Sequence, residues 1–220
     1  MKNPAIIGKA TIYNCDCMEL LKATPDKFYD LAIVDPPYGI KDFQSSRNTP
    51  GRGVTKFQKD WKGLKWDIKP EYKYFSELFR VSKNQIIWGA NNFTLPTTEY
   101  FCIWSKCQTV DNFASAEYAW VSSNDWKKPA KVFTYSIHQV NALKDKIHPT
   151  QKPIALYEWL LTNYAKQGDK ILDTHLGSGS HAIACNNLGF ELTACELDKD
   201  YYEASIKRIK QATAQERLFE

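Results

Sequence analysis

Short apolar runs alternate with amphipathic stretches along this chain. The apolar runs are rich in branched residues and too short for helices, so they predict buried strands over residues 10–14, 31–34, 85–88, 170–173 and 191–195. The amphipathic stretches predict helices over residues 70–81, 181–188 and 200–210. This succession predicts an α/β fold, with a mostly parallel sheet flanked by helices.

The middle of the chain departs from this pattern. An antiparallel edge of the sheet is predicted by three runs that lie close together in sequence, at residues 100–104, 116–121 and 131–137. Residues 40–70 show no regular period and carry the turn signal Pro50-Gly51, which indicates a long loop. We expect one domain over residues 1–220, with a loop insertion at 40–70 and a partly variable region at 90–145.

Acidic residues stand at the ends of four strand-like runs: Asp16, Asp35, Asp173 and Glu196. The carboxyl ends of parallel strands meet at one edge of an open α/β sheet, and ligands bind at that edge. We therefore expect the four carboxylates to line one rim. For Asp16, the alternative role of a helix N-cap remains equally open.

The motif Asp35-Pro36-Pro37-Tyr38 follows the run at 31–34. Two prolines fix the backbone and remove two donors, which leaves a carboxylate and a carbonyl beside an aromatic ring. Such an acceptor pair suits a planar base that carries an amino group. The alternative is that Pro-Pro-Tyr merely ends a strand and begins a loop.

The amino nitrogen of adenine or cytosine is a poor nucleophile because its lone pair is delocalised into the ring. Hydrogen bonds from the two amino hydrogens to the Asp35 carboxylate and the Pro36 carbonyl would free that lone pair for a methyl donor. An unperturbed aspartate, with a pKa near ~3.9, cannot deprotonate a neutral amine, but it can take the proton after methylation. Tyr38 is the expected stacking platform for a base flipped out of a duplex.

The turn Gly177-Ser178-Gly179-Ser180 follows the run at 170–173 and fits a dinucleotide fingerprint, with Glu196 as the ribose-binding acid. Asp173 favours a different ligand, since a carboxylate there would repel a pyrophosphate and attract an ammonium group. A cationic nucleoside conjugate fits better than NAD. In that interpretation Glu196 binds the ribose hydroxyls, Asp173 the ammonium and Asp16 the adenine amino group.

Two further features bear on ligands. His148-Pro-Thr-Gln-Lys152-Pro153 opens a helix, with Pro153 expected in its first turn, Lys152 and Pro153 as walls of a pocket, and His148 as a structural residue. Residues 41–69 carry eight lysines and arginines against three aspartates, a local charge of +5 in a chain of formal charge +4. As a DNA-contacting segment, this loop would use Arg47, Arg52, Lys56, Lys59, Trp61 and Lys62. As an alternative, it is a solvated charged surface.

Composition narrows the class of protein. A chain of 220 residues with 43% hydrophobic content can bury a full core. Its six cysteines show no paired metal spacing and predict buried thiols, so we expect no metal and a reducing cytoplasm. We see no signal peptide and no membrane-spanning run, and so expect a soluble protein with no membrane partner.

These motifs resemble the DNA amino-methyltransferases that use S-adenosylmethionine, with Asp35-Pro-Pro-Tyr38 as the catalytic motif and Asp173-x-x-x-Gly177-Ser-Gly179 as the cofactor loop. The order, with the catalytic motif first and the glycine loop last, is similar to that of the permuted beta group. The resemblance implies a Rossmann-like sheet with one antiparallel strand. It also implies cofactor contacts from Asp16, Lys152, Pro153, Asp173, Leu176, Gly177, Ser178, Gly179, Ser180 and Glu196.

The resemblance carries expectations about substrate and partners. Asp35 before Pro-Pro-Tyr is typical of N6-adenine specificity, with N4-cytosine methylation or a non-catalytic DNA-binding protein as alternatives. Thr174-His175 stands where family members commonly have Pro-Phe, and the middle is short for a full target-recognition region. We expect DNA as partner and a monomer or homodimer.

Overall fold

The structure is a computed structural model that describes residues 3–39, 67–109, 111, 114–122, 129–141 and 146–216. Its strands are β1 (Ala5–Ile7), β2 (Ala10–Asn14), β3 (Tyr29–Val34), β4 (Ser82–Trp88), β5 (Phe101–Ser105), β6 (Ala116–Val121), β7 (Lys131–Thr134), β8 (Lys170–Asp173) and β9 (Glu191–Glu196). Its α-helices are α1 (Cys17–Ala23), α2 (Tyr72–Val81), α3 (Ile137–Asn141), α4 (Ile154–Tyr164), α5 (Ser180–Leu188) and α6 (Lys199–Glu216), and a short 3₁₀ turn covers Ala90–Asn92.

One sheet contains all strands of the described residues, in the order β1-β2-β9-β8-β3-β4-β6-β5-β7. The five neighbouring strands β2, β9, β8, β3 and β4 pair in parallel. β6 runs antiparallel to both β4 and β5, and β1 forms a hairpin with β2. The structure therefore confirms a Rossmann-like, mostly parallel sheet with a reversed strand.

Hydrophobic side chains cover both faces of this sheet. On one face α4, α5 and α6 contribute buried residues such as Leu160, Ile183 and Ile209. On the other face α1 and α2 contribute residues such as Leu21 and Leu78. Each such side chain contributes roughly 1.5–3 kcal/mol by burial, so the sheet is held rigidly from both sides and its carboxyl edge is a fixed platform.

Some predicted elements differ from the observed ones. β7 pairs in parallel with β5, so the three middle strands are not antiparallel throughout. The reason is that β6 already lies between β4 and β5, and β7 returns to the free side of β5 in the same direction as β5. Pro153 is the N-cap of α4 instead of a first-turn residue, and α6 extends to Glu216. No helix among the described residues is long and apolar enough to cross a bilayer.

Candidate active site

The four acids predicted from strand ends lie at one edge of the sheet. β2, β9, β8 and β3 are consecutive parallel neighbours, and the register pairs Asn14 with Glu196 and Asp173 with Ala194. Asp16 follows β2 and Asp35 follows β3. The expectation of one acidic rim is confirmed.

A cavity of about 850 Å³ opens at this rim. The residues expected at the site that line it are Asp16, Asp35, Pro36, Pro37, Tyr38, Lys152, Leu176, Gly177, Ser178 and Glu196. The wall that the described residues form does not include Pro153, Asp173, Gly179 or Ser180. Since the same cavity contacts Asp35 and Gly177, the catalytic motif and the glycine loop share one space although they lie far apart in sequence.

Asp35 is mostly buried and has a side-chain partner on each oxygen. The Tyr38 hydroxyl donates to Oδ1 at 2.5 Å, and the Lys152 ammonium donates to Oδ2. Burial raises the pKa of the Asp35 carboxyl above its ordinary value, and the neighbouring Lys152 charge opposes that rise. The Pro36 carbonyl accepts no hydrogen bond from the described part of the chain. The cavity wall therefore presents the Asp35 carboxylate and a Pro36 carbonyl to which no described residue donates.

The Tyr38 ring packs closely over the backbone of Gly89. Gly89 directly follows β4 with φ +65°, and a Cβ built there would lie 2.0 Å from the Tyr38 ring. The edge of Phe93 contacts the same ring, with centroids 6.1 Å apart. Tyr38 thus has a role that the sequence did not indicate, because its hydroxyl orients Asp35 while its ring lines the cavity. Its role as a stacking platform stays a prediction.

Lys152 lines the cavity, as expected for a pocket wall, and its ammonium contacts Asp35. Its contact with the cofactor stays a prediction. Its side chain is 3% exposed, and its Nζ lies 3.1 Å from Glu117 Oε2 as well as contacting Asp35. Lys106 Nζ lies 2.6 Å from the other oxygen of Glu117. Sequence reasoning missed Glu117 and Lys106. Glu117 is the second residue of β6, and because β6 is reversed, the start of this strand lies at the rim where the parallel strands end.

The glycine loop is fixed by backbone contacts. The Gly177 N–H donates to Glu196 Oε2 at 2.9 Å, and the Asp198 N–H donates to Oε1 at 2.9 Å. Burial raises the pKa of Glu196, and these two backbone donors oppose the rise. The buried Arg208 of α6 donates to the Ser178 carbonyl at 3.0 Å. The loop and its acid are therefore held in place without any ligand.

Asp16 and Asp173 differ in how they use their carboxylates. Asp16 Oδ1 accepts from the Met18 N–H at 2.7 Å, so the N-cap role is confirmed, and the residue is exposed and lines the cavity as well. Asp173 is 2% exposed and accepts from the His175 N–H at 3.0 Å, and His181 Nδ1 lies 2.9 Å from its other oxygen. Asp173 thus anchors the loop, and its contact with an ammonium group stays a prediction.

Two histidines bring neutral rings to the cavity. Burial lowers the pKa of His175 to about 4, and its ring lies 5.4 Å from Tyr74. Burial lowers the pKa of His148 to about 3, and its ring lies 4.4 Å from Tyr201. His175 occupies the place where the family commonly has phenylalanine, so an aromatic ring is present there despite the departure. His148, expected to be structural, is part of the wall.

The residues predicted to contact DNA lie outside the described residues. They are Arg47, Arg52, Lys56, Lys59, Trp61 and Lys62. At the end of that segment, Asp67 is described, lines the cavity, and accepts from the Gly39 N–H at 2.8 Å.

Known proteins resemble this chain in sequence. A family model for N6/N4 methyltransferases, described as DNA methylase, matches residues 54–207. The type II methyltransferase M.HinfI of Haemophilus influenzae is 24% identical over an alignment of 247 positions, which covers 91% of this chain and 68% of the relative. The type II methyltransferase M.HpaI of Haemophilus parainfluenzae is 25% identical over 227 residues, covering 88% and 72%.

Solved structures share the fold. The complex of M1.HpyAVI with S-adenosylmethionine has a TM-score of 0.55 and 21% identity, over 90% of this chain and 99% of that one. The cytosine-N4-specific PvuII DNA methyltransferase has a TM-score of 0.62 and 14% identity, over 97% and 93%. With the family match over most of its length, the chain belongs to the N6/N4 family of S-adenosylmethionine-dependent DNA methyltransferases.

Proposed function

We propose that this protein methylates the exocyclic N6 of an adenine flipped out of DNA. The observation that carries the proposal is the shared cavity, which contacts Asp35 and Pro36 at one end and Gly177 and Glu196 at the other. A base held at the first end and a methyl donor held at the second would meet inside it. A non-catalytic DNA-binding protein would not need this connection.

The residues of the second end fit S-adenosylmethionine. The cavity volume of about 850 Å³ suits a ligand of this size. Its wall combines the Glu196 and Asp16 carboxylates with the neutral rings of His175 and Tyr201. Carboxylates and aromatic faces both attract a cation, and aromatic faces also stack on the base of a nucleoside. When bound, the cofactor supplies a methyl group activated by its sulfonium.

We assign cofactor roles to individual residues on this basis. Glu196 would take the ribose hydroxyls, since backbone donors already aim its two oxygens. Asp16 would take the adenine amino group from the exposed end of its carboxylate. The turn from Leu176 to Ser178 would pack against the amino-acid portion. Asp173 acts on that portion either directly or by holding the turn.

At the first end, Asp35 and the Pro36 carbonyl would accept the two hydrogens of the target amino group. This arrangement returns the lone pair to the nitrogen and aims it at the methyl group. The nitrogen would gain the methyl group as the methyl–sulfur bond of the sulfonium breaks, with its electron pair left on sulfur as a neutral thioether. The proton that the nitrogen releases would pass to the Asp35 carboxylate and then to solvent. The Pro36-Pro37 backbone and the Tyr38 hydroxyl keep both acceptors in position, so little reorganisation is needed.

Adenine is the favoured base because an aspartate precedes Pro-Pro-Tyr, as the family resemblance implies. N4-cytosine is the second candidate: the same acceptor pair fits either amino group, and a neighbour in fold is named as cytosine-N4-specific. DNA backbone contact is proposed for the basic segment, through Arg47, Arg52, Lys56, Lys59, Trp61 and Lys62, on the strength of its local charge.

The test is transfer of label from methyl-labelled S-adenosylmethionine to unmethylated DNA, followed by hydrolysis and nucleoside analysis. Label in N6-methyladenine supports the proposal. Label in N4-methylcytosine establishes the second candidate instead. Absence of label from DNA of every sequence tried, with cofactor binding intact by calorimetry, rejects both enzymatic assignments for the isolated chain.

A further inference from the structure

Four alternating charges run from the cavity into the antiparallel part of the sheet: Asp35, Lys152, Glu117 and Lys106. Lys152 lies between the two carboxylates, in contact with Asp35 and 3.1 Å from Glu117, and Lys106 lies 2.6 Å from Glu117. The side chains are 16%, 3%, 23% and 15% exposed, in the order from Asp35 to Lys106. We call this set the charge chain.

Burial of these four charged side chains costs free energy, and packing of the fold alone does not require it. Removing an ammonium group from water is unfavourable unless partners replace its hydration. Even when paired, buried ions often stabilise a protein less than apolar residues of similar size would. The Lys152 ammonium also lies over the Trp88 ring, 5.6 Å from its centroid. A functional reason for the charge is therefore expected.

That reason lies in the protonation state of Asp35. The proposed function requires its carboxylate to accept an amino hydrogen, and a protonated carboxyl would present a donor instead. Burial raises the pKa of Asp35 and so favours the unwanted form. Although burial acts to lower it, the pKa of Lys152 is raised by the two carboxylates, so the ammonium keeps its charge beside Asp35.

Glu117 and Lys106 determine how much of the Lys152 charge acts on Asp35. Although burial acts to raise it, the pKa of Glu117 is lowered by the two lysines, so Glu117 stays ionised. Glu117 therefore shares the Lys152 ammonium with Asp35, and Asp35 keeps acceptor capacity for a ligand. Lys106 pairs with Glu117 and offsets its charge, which fixes the position of the shared ammonium.

Burial also shifts the pKa values of other titratable groups around the charge chain. Burial raises the pKa values of Tyr38 and Tyr157 well above their ordinary range. Burial lowers the pKa of His148 to about 3, and burial also lowers the pKa of Lys146, which interacts with Lys106. The charge on Asp35 is thus governed mainly by Lys152 and Glu117.

We infer that Lys152 and Glu117 are positioning residues: Lys152 keeps Asp35 ionised and aimed, and Glu117 fixes the position of the Lys152 ammonium and weakens its effect on Asp35. The inference rests on the proposed function, since it concerns the acceptor state of Asp35. It extends the site to the reversed strand β6, outside both sequence motifs.

The test is the pH dependence of the single-turnover methyl-transfer rate, measured at saturating cofactor and DNA. The rate falls as pH drops through the pKa of Asp35, because the protonated form has lost its negative charge and cannot take the proton that the amino group releases. In Lys152→Met the two carboxylates face each other without a cation, so this acidic limb moves to higher pH by about 1–3 pH units. In Glu117→Gln a negative charge is lost, so the limb moves to lower pH by about one pH unit.

Two further variants sharpen the test. The double variant Lys152→Met/Glu117→Gln removes one charge of each sign, and its limb returns toward that of the wild type. If Lys152→Met does not fold, Lys106→Met replaces it: the uncompensated Glu117 charge then raises the limb, opposite to Glu117→Gln. The matched control is Lys83→Met, which breaks a surface ion pair with Asp30 near the opposite ends of β3 and β4 and leaves the limb unchanged.

The outcomes separate this inference from the proposed function. Limbs that move in opposite directions for the two single variants support the inference. The inference is overturned if transfer slows in the two single variants but the limb does not move, or moves in the same direction in both variants. Methyl transfer by the wild type would still support the proposed function in that case. Wild-type protein that binds cofactor but transfers no methyl group overturns the proposed function, and this inference with it.

Discussion

The two ends of the cavity are built in different ways. At the cofactor end, backbone N–H groups of Gly177 and Asp198 hold the Glu196 carboxylate, and the glycine turn supplies the shape. At the catalytic end, side chains hold the Asp35 carboxylate, through Tyr38 and Lys152. Backbone N–H donors do not titrate, whereas the hold of ionisable side chains on an acid depends on their charge. Changes at the cofactor end should therefore affect cofactor binding, and changes at the catalytic end should affect the rate.

The largest effect is expected at Asp35. Asp35→Ala removes the charged acceptor, and we expect a fall in kcat of roughly 100- to 1,000-fold or more. Affinity for S-adenosylmethionine, measured by calorimetric titration, should stay within about threefold, because Asp35 lies at the other end of the cavity. Asp35→Asn is the matched variant, since it keeps one carbonyl acceptor and should retain more activity than alanine. Equal losses of rate and cofactor affinity would contradict the division between the two ends.

A substitution at Gly89 would disturb the catalytic end without removing a charged group. Gly89→Ala places a methyl group into the Tyr38 ring at a residue with φ +65°. The left-handed backbone alone costs about 1–2 kcal/mol, and displacement of Tyr38 would add a loss of kcat of about tenfold or more. Unfolding by denaturant and single-turnover rates measure the two effects separately.

The control for Gly89 is Gly168→Ala. Gly168 has φ +90° and open space around its Cβ position. It should therefore show the loss in stability with little change in rate. A similar loss of rate in both variants would show that Tyr38 is not held by this contact.

The sequence predicted the ends of the parallel strands better than anything else. Apolar runs followed by acids identified Asp16, Asp35, Asp173 and Glu196 at one rim, and the topology confirms it. The rule works because an apolar run buried between helices must emerge into solvent at the edge of the sheet. Elements near the two motifs were predicted to within a few residues for the same reason.

Contacts between distant side chains could not be predicted in this way. Glu117 reaches the rim from the start of a reversed strand, and a search for acids after strands passes over it. Lys152 lines the cavity as expected, but its contacts with Asp35 and Glu117 could not be predicted from the motif. Asp173 stands at a strand end, yet His181 lies at hydrogen-bonding distance and draws the carboxylate inward; no local pattern indicates this.

Glu196 offers a prediction of intermediate size at the cofactor end. Glu196→Gln replaces one carboxylate oxygen with an amide that faces a backbone N–H, and such a buried mismatch costs about 1–3 kcal/mol. We expect affinity for S-adenosylmethionine to fall about tenfold, equivalent to ~1.4 kcal/mol, with kcat at saturation within about twofold. The control Glu203→Gln alters only an exposed pair with Lys199 and should bind cofactor normally. A large fall in kcat would mean that Glu196 also acts on transfer.

Aromatic rings join the two ends. Neighbouring centroids along Tyr38, Phe93, Phe75, Tyr74 and His175 lie 5.0–6.1 Å apart. Contacts between these rings can pass a shift in the position of one ring to the next, but they have little effect on the charges at either end of the cavity. A substitution within this row should therefore have a small effect on both cofactor binding and rate, and a large effect on neither.

The smallest effect is expected at Tyr74, in this row. Its hydroxyl lies 2.6 Å from Thr174 Oγ1, which in turn lies 2.9 Å from His175 Nδ1. Tyr74→Phe removes one buried hydrogen bond but keeps the ring, so we expect a loss of about 1 kcal/mol in unfolding free energy, or a fall in Tm of about 2–4 °C. The KM for cofactor should rise by no more than about threefold, since Thr174 keeps its contact with His175. Tyr72→Phe, at a side chain exposed on the same helix, should change neither quantity. A rate loss in Tyr74→Phe as large as that in Gly89→Ala would show that the two ends are mechanically one unit.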